Sequence, residues 1–292
     1  MVQDQCKLKR FLCSDLSLPL HGILKLNKMK NTIIYSLFLT LTMFFCSCEK
    51  EIDLEYKNDF DRLIVEAVLV KGETSHKIRV SHEVNYFESP EFRPAENVII
   101  TINDSKGNSG IFNYVDSGYF ELNNFDIHYN TNYTLRLKDG EKIVEATCKT
   151  SSKIVLDTVL TSNYSSGNMN TTGLTPKFID PINEKNYYLT KTAINGFSSD
   201  YFSSSNMFTD ELMDGEMNNN AVPAYYQSGD SVEFVLRSVD YYRYQFIKTF
   251  EETSFQGGFF NASPSNPISN FKDKALGYFS VEVEERMTVY ID

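Results

Sequence analysis

The stretch HKIRVSHEV, His76 to Val84, alternates without a break. Ile78, Val80, His82 and Val84 fall on one side, and Lys77, Arg79, Ser81 and Glu83 on the other. A period of two sends successive side chains to opposite faces of an extended chain. Clean alternation marks a strand with one buried and one wet face, as in antiparallel sheets. The pattern recurs. Leu63 to Val70 is rich in Leu, Ile and Val and ends at Lys71-Gly72, a turn signal. Val98, Ile100 and Ile102 form another inward face, and Asp104 to Asn108 makes a hairpin-type connection. Gly118 to Leu122 is a short strand. Tyr133, Leu135 and Leu137 alternate with polar residues, and Asp139-Gly140 turns the chain into Ile143 to Lys149, where Val144, Ala146 and Cys148 share the apolar side. Strands at intervals of about 10 to 20 residues, with no long helix between them, predict a β-sandwich of immunoglobulin or prealbumin type over residues 62–150. The 22 Phe and 18 Tyr of the 292-residue chain suit that class.

Residues 151–292 read as a second, mainly-β domain carrying one helix. Tyr187 to Ile194 is a strand, and Ser231 to Arg237 alternates with Val232, Phe234 and Leu236 inward. Phe197 to Ala221, rich in Ser and Asn with Met207, Met213 and Met217, is expected as a long loop. Then the period changes. Val239, Tyr242, Phe246 and Phe250 share a helical face, Ser238 or Asp240 can cap its start and Gly257-Gly258 stops it, so a helix is expected near 239–255. Gly257 to Asn270, with Pro264 and Pro267, is a loop. Ala275 to Val283 and Met287 to Ile291 are expected as two closing strands. The fold class is all-β.

The first 61 residues are of another kind. Met29-Lys30-Asn31 precedes a mostly apolar run, Ile33 to Cys46. That run falls short of the roughly 20 residues a spanning helix needs. A basic start, a short apolar centre and a small residue before a processing point describe a secretory signal over residues 29–47. An uncleaved anchor would be longer, and a buried helix would be followed by a partner element, not a polar tail. Residues 1–28 do not fit a signal. They read as a start-site misassignment, with Met29 the true start, or as an unusually long leader. Glu49 to Asp61 is an acidic tether.

Phe45-Cys46-Ser47-Cys48 resembles the lipobox of bacterial lipoproteins, with Phe in place of the commoner Leu and Cys46 in place of Ala or Ser. The resemblance implies that Cys48 is diacylated on sulfur and becomes the acylated N-terminus. Cys46 is the rival acceptor, but it follows Phe45, whereas Cys48 follows the small Ser47. Three acyl chains anchor securely, since two lipid signals already suffice. Removal of the first 47 residues takes six basic and two acidic residues and moves the net charge from −11 to −15. With Cys48 lipidated, Cys148 has no disulfide partner, so the exported body must rest on its core.

SVDYYRYQFIKTFEETSF, then SPSNPISN, then ALGYFS are similar to domain-of-unknown-function family 4249, a lipoprotein family of Bacteroidota. CEKEIDLEY followed by RLIVEAVLV resembles that family's opening. The resemblance spans nearly all of Cys48 to Asp292. It implies a lipidated outer-membrane protein encoded beside a TonB-dependent receptor, with no established reaction and no catalytic residues. Acids just after the lipid cysteine also resemble the surface-export signal of such lipoproteins.

Chemistry is sparse. The acidic charge and the lack of a basic stripe exclude a nucleic-acid partner. His76, His82 and His128 show no metal-ligand spacing, and no cofactor fingerprint occurs. His82 and Cys148, on apolar strand faces, read as core residues. Glu282, Glu284 and Glu285 could suggest a paired-carboxylate hydrolase, but read more simply as an exposed strand face and turn. The expected function is a non-enzymatic accessory or ligand-capture partner of a TonB-dependent transporter, with the loops Phe197 to Ala221 and Gly257 to Asn270 as its contact surfaces. The alternative is a structural or adhesive envelope module that binds protein or glycan.

Overall fold

The computed structural model describes residues 62–84, 92–166, 169–198, 206–224, 226–254, 266–272 and 274–291. All belong to the compact unit Asn58–Asp292. The expected signal, the lipid cysteine, the tether and most of the Gly257 to Asn270 loop lie outside the described residues.

The alternating stretches form β1 (Leu63–Val70), β2 (Ser75–His82), β3 (Ile99–Asp104), β4 (Ser109–Asp116), β5 (Tyr119–Asn123), β6 (Asn132–Asp139) and β7 (Lys142–Lys149). They run in the order β1-β2-β5-β4-β3-β6-β7, with β4 pairing β5 on one side and β3 on the other. The pairing of β4 with β5 shifts register between Tyr114 and Asp116, the kind of irregularity that bends a strand. The sheet folds over at β4, and its two halves enclose one core. Val65, Ala67, Ile78, Val80 and Phe120 face Ile100, Ile102, Tyr133, Leu135 and Val144 across it. Tyr133 is fully buried, and its hydroxyl accepts the His128 N–H at 2.7 Å. A tyrosine bonded back to backbone a few residues upstream is a corner device of β-sandwiches.

The second half contributes β8 (Thr158–Ser166), β9 (Met169–Lys177), β10 (Tyr187–Ile194), β11 (Phe197–Ser198), β12 (Met207–Thr209), β13 (Val222–Ala224) and β14 (Ser231–Val239). Helix α1 spans Tyr241–Ser254, and β15 spans Ala275–Tyr290. The β8–β9 hairpin has no counterpart in the sequence reading, because its Ser, Asn and Thr residues hide the alternation. With β13 it forms a three-stranded layer over the face of β10, β14 and the end of β15. Phe178, Tyr188, Phe234, Leu236 and Val283 fill that second core. Phe197 to Ala221 is not one loop. It carries β11 and β12, both paired to β10, and Met213 is buried.

Two closing strands were expected; there is one. Ala275 to Glu282 pairs in parallel with β1, and Val283 to Tyr290 pairs antiparallel with β14. Phe279 and Val281 therefore enter the first core and Val283 the second. Edge strand β7 lies beside β15, and Asn270 stitches the two. Its amide donates to Thr147 O (3.2 Å) and Phe279 O (2.7 Å) and accepts from Phe279 N–H (3.1 Å). Asn270 closes the SPSNPISN motif, so at least this residue of it is there to satisfy backbone groups at a seam.

Candidate functional site

α1 starts where β14 ends. Asp240 caps it: its Oδ1 accepts the Arg243 N–H at 2.8 Å. The helix lies on the second sheet with Ile247 buried against Tyr187, Leu189 and Val239. The buried side is not the stripe expected from spacing. Tyr242 is 38% and Phe250 52% exposed, while Arg243 is 8% exposed. Arg243 wins the inward position because a carboxylate waits there. Glu282, fully buried, meets Arg243 at 3.3 Å and Arg237 at 2.9 Å. Arg237 also holds Glu284 at 2.5 Å, Glu284 holds Arg286, and Arg286 reaches Glu233 at 3.2 Å. Burial works against the Arg237 charge, but Glu282 and Glu284 outweigh it and raise its pKa. The reading of these glutamates as an exposed face and turn is therefore wrong. Strand β15 continues straight through, and its helix-facing side is a ladder of charges that runs from core to solvent.

At the start of the helix the structure opens a cleft of about 590 Å3. One wall is the end of β7 with Lys149 to Ser151, another is the loop Asn183 to Asn186, and the third is Val239 to Tyr242. The loop wall is held firmly. Glu184 accepts from Ser152 N–H and Oγ, and the buried Asn186 donates to Pro181 O and Glu184 O. Asp210 accepts the Asn186 N–H and Asp214 the Asn183 N–H. Beneath, Tyr188 donates to Asp180, whose pKa burial raises. The helix wall is aromatic. Tyr187, 7% exposed, packs edge-on against Tyr241 at 5.7 Å and tilted against Tyr244 at 5.1 Å. Tyr241 in turn meets Tyr242 at 5.4 Å. Burial drives the Asp240 carboxyl up to about 7. The Cys148 thiol is also pushed up by burial, with Asp240 and Glu282 adding to the shift.

A second groove of about 490 Å3 lies on the far side of α1, lined by Ile64, Phe246, Leu276 and Tyr278 with Glu66 and Arg243 at its polar points. Arg243 sits over the Tyr278 ring at 3.9 Å.

The residues singled out from sequence scatter. Cys48 and its rival Cys46 lie outside the described residues. His76 is buried and bonded to Phe125 O at 3.0 Å, His82 is half-buried on the inward face of β2, and His128 serves the β6 corner through its backbone. Among the described residues no three His, Cys, Asp or Glu side chains gather as a metal site, and no helix is long and apolar enough to cross a membrane. Sequence reasoning missed the cleft residues Asn132, Lys149, Asn183, Lys185, Tyr241 and Tyr242. One signal existed: tyrosines in the two positions after a cap residue stand at a helix end, where packing is thin.

The family model described as domain of unknown function (DUF4249) matches residues 49–287. No curated protein matches the chain. Among solved structures, the two-fibronectin-type-III-domain segment of chicken tenascin is similar at 18% identity, over 61% of this chain and 89% of that one, with a TM-score of 0.19. The all-β assignment rests on the strand pairing above and not on that likeness.

Proposed function

The chain belongs to the DUF4249 family, and from that premise we propose that it is a non-enzymatic lipoprotein of the Bacteroidota outer membrane, anchored through Cys48, which captures a ligand for a TonB-dependent receptor. The observation that carries ligand capture is the preformed cleft at the start of α1. Its volume falls in the range of small-molecule sites, about 300–1,000 Å3. Its walls are fixed by hydrogen bonds before any ligand arrives, which lowers the ordering cost of binding. The Cys148 thiol is held protonated by burial, which disfavours its use as a nucleophile. The lipobox-like FCSC and the acidic tether support the anchor. Isolation of the lipidated chain in mild detergent is expected to bring a large outer-membrane barrel with it. Repeated isolation without one sinks the accessory role.

A second reading, a module for contacts within the envelope, draws on Ile99, Ile111 and Ile143, which stand 58%, 62% and 41% exposed on the outer face of β3, β4 and β7. It predicts that deletion leaves uptake unchanged.

A further inference from the structure

We infer that the cleft at the start of α1 takes a short, neutral oligosaccharide; this rests on the capture reading and names its ligand class. A sugar ring offers two kinds of surface. Its C–H face packs on an aromatic ring, and its hydroxyl edge needs donors and acceptors side by side. The cleft supplies both. Tyr241 and Tyr242 are 45% and 38% exposed on its helix wall. Tyr187 fixes the Tyr241 ring from below by its edge-on contact, so the aromatic surface is set in advance. Tyrosine gives large contact area at little conformational cost. The opposite walls carry the amides of Asn132 and Asn183, the hydroxyl of Ser151 and the ammonium groups of Lys149 and Lys185.

Charge decides between neutral and ionic ligands. Lys149 and Lys185 share the cleft with Glu184 and with Asp240, which is about half ionised near pH 7. The surplus is a fraction of one charge, too little to repay the desolvation of an ionic ligand, whereas hydroxyls can be met one by one. Asp240 already fills the helix end, so that end offers no anion site. Length follows from volume: about 590 Å3 accommodates two or three sugar units.

The test is calorimetry on the lipidated full chain in a detergent without a sugar headgroup. The probes are maltotriose, cellotriose, mannotriose and chitotriose, with trigalacturonic acid and tetra-alanine as the ionic and peptide comparisons. Saturable binding of at least one neutral trisaccharide is expected. Tyr241→Ala and Tyr242→Ala should each weaken it about ten-fold, while the Phe variants stay within about three-fold. Thermal unfolding of each variant separates loss of the ring from loss of the fold. Binding by none of the neutral probes, binding indifferent to both tyrosines, or preference for the acid or the peptide overturns the proposal. The recovery of the barrel is read separately. A barrel that still co-purifies when the sugars fail leaves the accessory role standing and removes only the ligand class.

Discussion

Glu282 is a fully buried carboxylate between two arginines, and its removal is worse than its presence. A buried pair adds little net stability over an apolar replacement, but breaking it strands uncompensated charge. Glu282→Ala leaves Arg243 and Arg237 short of a partner in the interior. We expect it to lower unfolding free energy by about 3–5 kcal/mol in urea titrations. The wet end of the same ladder should behave otherwise. Arg286, about half exposed, should cost under about 1 kcal/mol on truncation to Ala. Equal losses at the two ends would show that burial does not grade the ladder. Asp240 gives the pH dependence. Its folded pKa of about 7 lies above the ordinary 3.8, so the folded state holds a proton that the unfolded state releases. Its stabilising contribution is complete below about pH 4 and declines as pH rises towards 7, with no further change beyond. Asp240→Asn, which keeps a capping side chain, should flatten that decline in stability measured from pH 4 to 8. A variant with the same slope as the wild type contradicts the assignment.

At the scale of elements, β15 is the piece on which the others depend. Its parallel pairing with β1 needs Gly277 at φ +92°, and a Cβ there would lie 2.0 Å from Val65 O. Backbone cannot step aside as a side chain can. Gly277→Ala should therefore cost at least about 3 kcal/mol, since strain and clash add. Gly72 has a similar φ of +95° with nothing within 4 Å, so Gly72→Ala should cost only the conformational penalty of about 1–2 kcal/mol. Similar losses at both glycines would argue against the close approach of β1 and β15. The elements were unequally legible. β2, β6 and β7 show in the sequence because one face of each is wet and the other dry, whereas β10 and β14, covered on both faces, show by their aromatic and β-branched content. β8 and β9 do not show, because polar residues occupy much of their length. The helix was visible from its cap and period, but its buried side was not, because a distant glutamate draws Arg243 inward against hydropathy.

For the whole molecule, two cores share one last strand, and the Asn270 amide bonds across the edge between β7 and β15. Asn270→Leu would leave Thr147 O, Phe279 O and Phe279 N–H without that partner. A loss of about 1–3 kcal/mol is expected in thermal or urea unfolding, felt by both cores together. Anchoring should be independent of all this. Cys48→Ala is expected to leave the body folded and release it from membranes; a variant that still fractionates wholly with membranes refutes the lipid site.

The sequence alone determined the all-β class, the helix and the family, and narrowed the cap to Ser238 or Asp240. Strand period, capping chemistry and motif are local, written in neighbouring residues. Only the tertiary structure decided that β15 serves two cores, that Glu282 is buried, and that Lys149, Asn183 and Tyr241 meet around one cleft. Those facts depend on residues far apart in the chain, such as Asn270 and Thr147, brought together by strand order, and no local pattern encodes that order.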